Sequence, residues 1–174
     1  PVEPTATPLP GPALLRGGPL QMAFQPSGDG WGPWFLPPDG RIVVSETYAA
    51  EPFPLDPRLD IHSISAGGSG LLAAGAVGVY EREAATQRWR RISAEPALQI
   101  LGLPDDAEIW IVPAAHPDQI WRSRDHGLTW ARDDAGLEGP IAGRLTFRSA
   151  GELDKTASIY AITLRGGRWI IWEK

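Results

Sequence analysis

Residues 123–130 read Ser-Arg-Asp-His-Gly-Leu-Thr-Trp and satisfy the pattern Ser-x-Asp-x-Gly-x-Thr-Trp at every fixed position. Ser123 and Asp125 carry short side-chain oxygens that accept hydrogen bonds from backbone N–H groups just ahead, which closes a tight turn. Gly127 supplies the positive φ that such a turn needs. Leu128, Thr129 and Trp130 then offer the β-branched and aromatic chemistry of a strand. Residues 119–122 (Gln-Ile-Trp-Arg) read as the incoming strand, so the stretch predicts a β-hairpin.

The surroundings of this hairpin repeat. Trp89 lies 41 residues before Trp130, and Tyr80 lies 41 before Trp121. In that earlier copy Ala84 stands where Asp125 would and Thr86 where Gly127 would, so its turn must close by other means. Further on, Ile159 and Ile170 follow Ile109 and Ile120 by 50 residues each, with a polar insertion at residues 150–155. Ser45 sits 78 before Ser123, at the end of the strong strand signal of residues 41–45, which follows a Pro-Pro-Asp-Gly turn. Residues 20–24 and 30–36 read as two strands before that turn. Pro52, Pro54 and Pro57 cannot donate to a ladder, so the next piece is an edge strand or an irregular loop. Four units result, at about 19–58, 59–96, 97–139 and 140–174. No segment shows a 3.6-residue apolar stripe with helix caps. The expectation is an all-β domain of short antiparallel strands, and turn-separated strands alone would also permit a sandwich.

The complete motif resembles the Asp-box, or BNR repeat, of β-propeller proteins. The first unit, with Gly30-Trp31, the Asp39-Gly40 turn and the Ile42-Val43-Val44 run, is similar to blades of sortilin-type and photosystem-assembly-factor propellers. The resemblance implies a β-propeller-like domain of about four blade units. It also implies that Ser123, Asp125, Gly127, Thr129 and Trp130 are structural, with the box joining the two outer strands of a blade and Trp130 packing into its core. Trp89 and Trp121, which recur with the units, are expected in the core as well. The fourth unit stops after its third strand. In propellers a strand from the other terminus often closes the ring, and residues 14–16 or 20–24 could serve. The chain is then a small ring, a piece of a larger propeller, or a half that pairs with another chain.

Composition narrows the chemistry. No Cys is present, which excludes disulfides and thiolate sites. A net charge of −5 disfavours nucleic acid as a main partner. His62, His116 and His126 are scattered and show no metal-ligand spacing, with His126 read as a solvent-facing turn residue. Asp105-Asp106 and Asp133-Asp134 read as turn residues. Sialidases, in which the Asp-box was named, resemble a propeller with three arginines, a Tyr–Glu pair and an Asp acid/base. Their Arg-Ile-Pro motif is absent, since Arg41-Ile42 is followed by Val43, and Glu46 with Tyr48 is not a distinctive pair. The expectation is therefore no catalytic residue, no metal and no cofactor. Trp31 and Trp34, beside Gly and Pro, and Arg88 with Arg90, which share one strand face, are the candidate partner contacts. Residues 1–18 are Pro/Thr-rich, and residues 1–12 resemble the tether of bacterial lipoproteins, although no lipid-accepting Cys is present. These readings together predict a noncatalytic extracytoplasmic module that binds a protein partner or joins other subunits. A membrane would be met only through an N-terminal anchor outside the sequence. The alternative is a carbohydrate-binding or sialidase-like propeller fragment.

Overall fold

The computed structural model describes residues 21–27, 30–36, 42–45, 50–52, 60–67, 70–83, 86, 88–103, 107–148 and 158–174. Among them the chain is all-β, with fifteen strands and no helix. The strands form four antiparallel sheets, each with its strands side by side in chain order. The first holds β1 (Gln21–Ser27), β2 (Gly30–Leu36), β3 (Ile42–Ser45) and β4 (Ala50–Pro52). The second holds β5 (Ile61–Gly67), β6 (Gly70–Gly75), β7 (Gly78–Glu83) and β8 (Trp89–Ser93). The third holds β9 (Ala97–Gly102), β10 (Ile109–Pro113), β11 (Trp121–Ser123) and β12 (Ala131–Arg132). The fourth holds β13 (Thr146–Arg148), β14 (Ser158–Arg165) and β15 (Arg168–Glu173).

Local chemistry sets the turns. Gly166 and Gly167 both take positive φ (56° and 76°) between β14 and β15, which suits a two-residue hairpin turn whose twist matches the strands. In the second sheet, where Asp and Gly of the motif are replaced, Thr86 Oγ1 donates to Glu83 Oε2 at 2.6 Å and the Glu83 amide donates to Arg88 O at 3.0 Å. Pro52 ends β4, at the edge of its sheet, where a missing donor costs little.

Strand alternation builds the core in three layers. Leu71 and Ala73 of β6 pack with Ala23, Trp34 and Leu36 of the first sheet. Leu72 and Ala74, on the opposite face of β6, pack with Ile100, Ile109 and Ile111 of the third. Trp110 and Val112, on the other face of β10, pack with Leu145, Ile159, Ala161 and Trp172. The second and third sheets are thus buried on both faces, which is why β6 and β10 are near-continuous apolar runs rather than alternating ones. Trp89 joins the first layer, and Trp121 with Trp130 the last-named strands' neighbour layer between the second and third sheets, all three partly buried.

The first strands of successive sheets are stitched together by side chains. β5 lies against both β1 and β9. The Leu103 amide donates to Glu108 O, so the alternate amides of β9, Ile100 and Gly102, point away from β10. They donate instead to Ser63 Oγ (3.3 Å) and Ser65 Oγ (3.0 Å) of β5. Gln99 repeats the device one sheet on: its Nε2 donates to Gly143 O at 2.7 Å and its Oε1 accepts from the Leu145 amide at 2.7 Å. Arg144 reaches back to Ile64 O at 3.4 Å, and burial lowers its guanidinium pKa.

Two expectations change. Residues 21–24 belong to β1 and pair with β2 rather than closing the fourth sheet, and residue 20 lies outside the described residues. Residues 14–16 and the whole of 1–18 lie outside the described residues. Leu128, Thr129 and Trp130 do not begin the outgoing strand; β12 starts at Ala131. The cause is local, because Asp125 holds Thr129 by both its amide and its hydroxyl and keeps it in the turn.

Candidate functional site

The turn at residues 123–130 is fully wired. Ser123 Oγ accepts from the Gly127 amide at 2.8 Å and donates to Asp125 Oδ1 at 2.8 Å. Asp125 Oδ1 accepts from the Thr129 amide at 2.8 Å and Oδ2 from the Thr129 hydroxyl at 2.6 Å. Gly127 takes φ 84° and His126 φ 55°, the latter exposed at the tip. The Thr129 hydroxyl, then its amide and the Ser123 hydroxyl, stabilise the Asp125 carboxylate and hold its pKa at about 2. A carboxylate committed in this way is a turn former rather than an acid or base.

Beside this turn lies a cavity of about 330 Å³, lined by Arg122, Arg124 and every residue from Thr129 to Asp133. β12 is the terminal strand of its sheet. The Asp133 amide donates to Ile120 O at 2.8 Å, so those two residues are a hydrogen-bonded pair. Trp121 and Arg132 are the next pair along the register and face each other without exchanging bonds. The Arg132 N–H and C=O therefore point outward, away from β11. The cavity adjoins that open edge, and Arg122 of β11 and Arg124 reach it from the inner side.

Its charged groups are mostly paired. Arg122 stacks on the Trp110 ring with its guanidinium carbon 4.9 Å from the centroid, and pairs with Glu108 and, at 3.3 Å, with Asp133. Lys174 also pairs with Asp133. Burial, then repulsion from Arg122 and Arg124, lowers the Lys174 pKa despite that contact. Arg132 Nε meets both oxygens of Asp134 at 2.8 Å, and this pairing raises its pKa. Arg124 is left over: its side chain is 72% exposed, and its carboxylate neighbour is Glu108 at 3.9 Å, which Arg122 already holds. Arg122, Arg132 and Lys174 are thus each paired at close range, Asp118 also acts on Arg132, and Arg124 is the cation whose nearest ion-pair partner stands at 3.9 Å.

The structure distributes the expected contact residues differently. Trp34 is 6% exposed and sits in the layer between the first and second sheets, with the Arg82 guanidinium 4.5 Å over its ring. It is not a surface contact, because period-two alternation turns Trp34 and Leu36 inward together whatever Gly or Pro stands beside them. The Trp31 side chain lies outside the described residues. Arg88 and Arg90 are exposed at β8, on the second sheet, and Arg90 is engaged by buried Glu81 at 2.6 Å. They are not part of the cavity. Glu46, Tyr48, Asp105 and Asp106 also lie outside the described residues, whereas Asp133 and Asp134 are ion-pair partners, Asp134 opening the turn to Leu137 and Asp133 extending the ladder opposite Ile120 rather than sitting in a turn. The arginines of the cavity were not singled out by sequence. The signal available was Arg122 and Arg124 flanking Ser123, with Arg132 two places beyond Trp130. Among the described residues no group of three or more His, Asp or Glu could hold a metal ion, and no helix is long and apolar enough to cross a membrane.

Comparison with known proteins finds no matching family model and no matching curated protein.

Proposed function

We propose that the chain is a β-propeller-type domain of the Asp-box kind that works without catalysis, outside the cytoplasm, as a protein-binding module or an accessory subunit of a larger assembly. The observation that carries this reading is the arginine-lined cavity on the open edge of β12, held in place by the Ser123–Asp125–Thr129 turn. The cavity offers guanidinium groups, an indole and unpaired strand edge. Its lining hydroxyl, Thr129, donates to Asp125, whose pKa of about 2 makes it a weak base, and its acid, Asp133, is bound by Arg122 and Lys174. The sequential four-stranded antiparallel sheets with neighbouring first strands support the propeller assignment. The Pro/Thr-rich residues 1–18 support a tethered, extracytoplasmic setting.

An acidic sugar is the second reading, favoured by half-buried Trp130 lying next to Arg124 and Arg132 in a cavity of small-ligand size. A glycan array together with a fluorogenic sialoside assay separates the two. The module reading expects neither glycan capture nor turnover, and clear turnover would overturn it.

A further inference from the structure

We propose that the open edge of β12 takes an extended acidic segment of a partner protein as an added strand. This rests on the reading of the chain as a binding module. The Arg132 N–H and C=O face outward and supply the backbone pair that a guest strand needs. The cavity that runs past residues 129–133 gives that strand room along the edge. Charge decides what the strand carries. Arg124 is exposed and lacks a carboxylate of its own, since Glu108 is committed to Arg122. A Glu or Asp of the guest completes that pair. Arg132, two-fifths of whose side chain is covered, adds cationic field at the same edge, and Asp134 occupies its Nε only. A basic guest would bring a like charge up to Arg124.

The edge is also shaped for a visitor rather than for a permanent neighbour. Arg88 and Arg90 guard the corresponding edge strand β8, and Arg91 folds back onto Val77 O at 2.6 Å, Ser93 O and Ala94 O, covering the end of its own sheet. At β12 the guarding charge stands beside the edge, with the backbone pair of Arg132 left clear.

The test uses the full chain and a fluorescein-labelled hexapeptide of alternating Val and Glu, followed by fluorescence anisotropy. Three comparison probes are the Val/Lys counterpart, the Val/Glu peptide with alternate N-methylated amides, and free glutamate. The Val/Glu peptide should bind, with the Arg132 amide gaining protection from hydrogen exchange. Arg124→Glu, at an exposed position that leaves the fold intact, should weaken binding by about tenfold or more, and Arg124→Lys should keep most of it. N-methylation should also weaken binding by about tenfold. The inference is overturned if the Val/Glu peptide fails to bind, if Arg124→Glu binds it as well as the parent, or if the N-methylated peptide or the Val/Lys peptide binds equally. Displacement by free glutamate at matching concentration would mean a simple anion site and no added strand, which also overturns it. A silent peptide titration combined with no sialoside turnover leaves the module reading standing, so the two failures are distinct.

Discussion

Gly102→Ala tests the seam between the second and third sheets. A Cβ at Gly102 would stand 2.5 Å from Ala66 O, 2.8 Å from Gly67 Cα and 2.7 Å from Leu72 Cδ1. Two of those atoms are backbone, so no rotamer change removes the clash. Ordinary contact near 3.4 Å with Ala66 O requires β5 and β9 to part by about 0.9 Å. The Ser65 Oγ–Gly102 amide bond, now 3.0 Å, would then leave hydrogen-bond range. Overpacking costs about 1–3 kcal/mol. The lost bond adds about 0.5–1.5 kcal/mol. The stiffer unfolded chain returns about 0.4–1 kcal/mol. The expected net loss is about 2–3 kcal/mol, read from urea titrations followed by Trp fluorescence, as a lower midpoint at unchanged slope. Ser65→Ala alone should cost about 1 kcal/mol, and the double variant should fall short of the sum because both changes lose the same bond. A loss below about 0.5 kcal/mol for Gly102→Ala, or full additivity, would refute the seam as described.

Gln99→Ala removes the acceptor of the Leu145 amide and the donor to Gly143 O, and should cost about 1–3 kcal/mol with faster hydrogen exchange at Leu145; unchanged exchange there would refute the link between third and fourth sheets. Asp125 has its pKa depressed to about 2 from 3.8, so its contribution is complete above about pH 4 and is lost as pH falls through about 2. Thermal melts across that window should decline more steeply for the parent than for Asp125→Asn, which cannot titrate, and parallel declines would show the turn carboxylate to be without effect. On β14 and β15, Ile162 (40% exposed) and Ile171 (71% exposed) are register partners and form an apolar pair on one face. Light scattering should give a particle heavier than the 18.8 kDa chain, and Ile171→Lys should return it towards that mass; a parent that is already a stable monomer would refute association through this face.

What could be read from the sequence follows from the range over which each feature is encoded. The turn at residues 123–130 was legible because the bonds made by Ser123 and Asp125 join residues at most four apart, so eight letters specify them, whereas the His126 amide's bond to Ala107 O at 3.3 Å was not legible there. The strands were legible from alternation and from the recurrence of Tyr80, Trp89, Trp121 and Trp130. Trp34 misled because its Gly and Pro neighbours describe a local chain, whereas its burial is fixed by the register that sets it opposite Ala23 and in line with Leu36. The cavity was illegible for a similar reason. Arg122 finds Glu108 on the neighbouring stretch, Lys174 reaches Asp133 from the fourth sheet, and Trp172 Nε1 donates to Ala135 O, so the set of charges at β12 depends on two sheets being stacked.

The two hairpins that occupy matching places in the second and third sheets make the functional point more sharply than the motif itself. Both must join an outer strand pair. The second closes its turn with Thr86 and Glu83, without the Ser–Asp–Gly set, so the complete set is not required for a hairpin here. In the third sheet the turn also packs Gly127 against Ile92 and ties the His126 amide to Ala107 O at 3.3 Å. The wired turn fixes where Arg122 and Arg124 leave the chain on one side of it and where Thr129 and Trp130 return on the other, and those residues line the cavity. Arg124 and Trp130, set on either side of that turn, are where the structural motif meets the proposed binding edge.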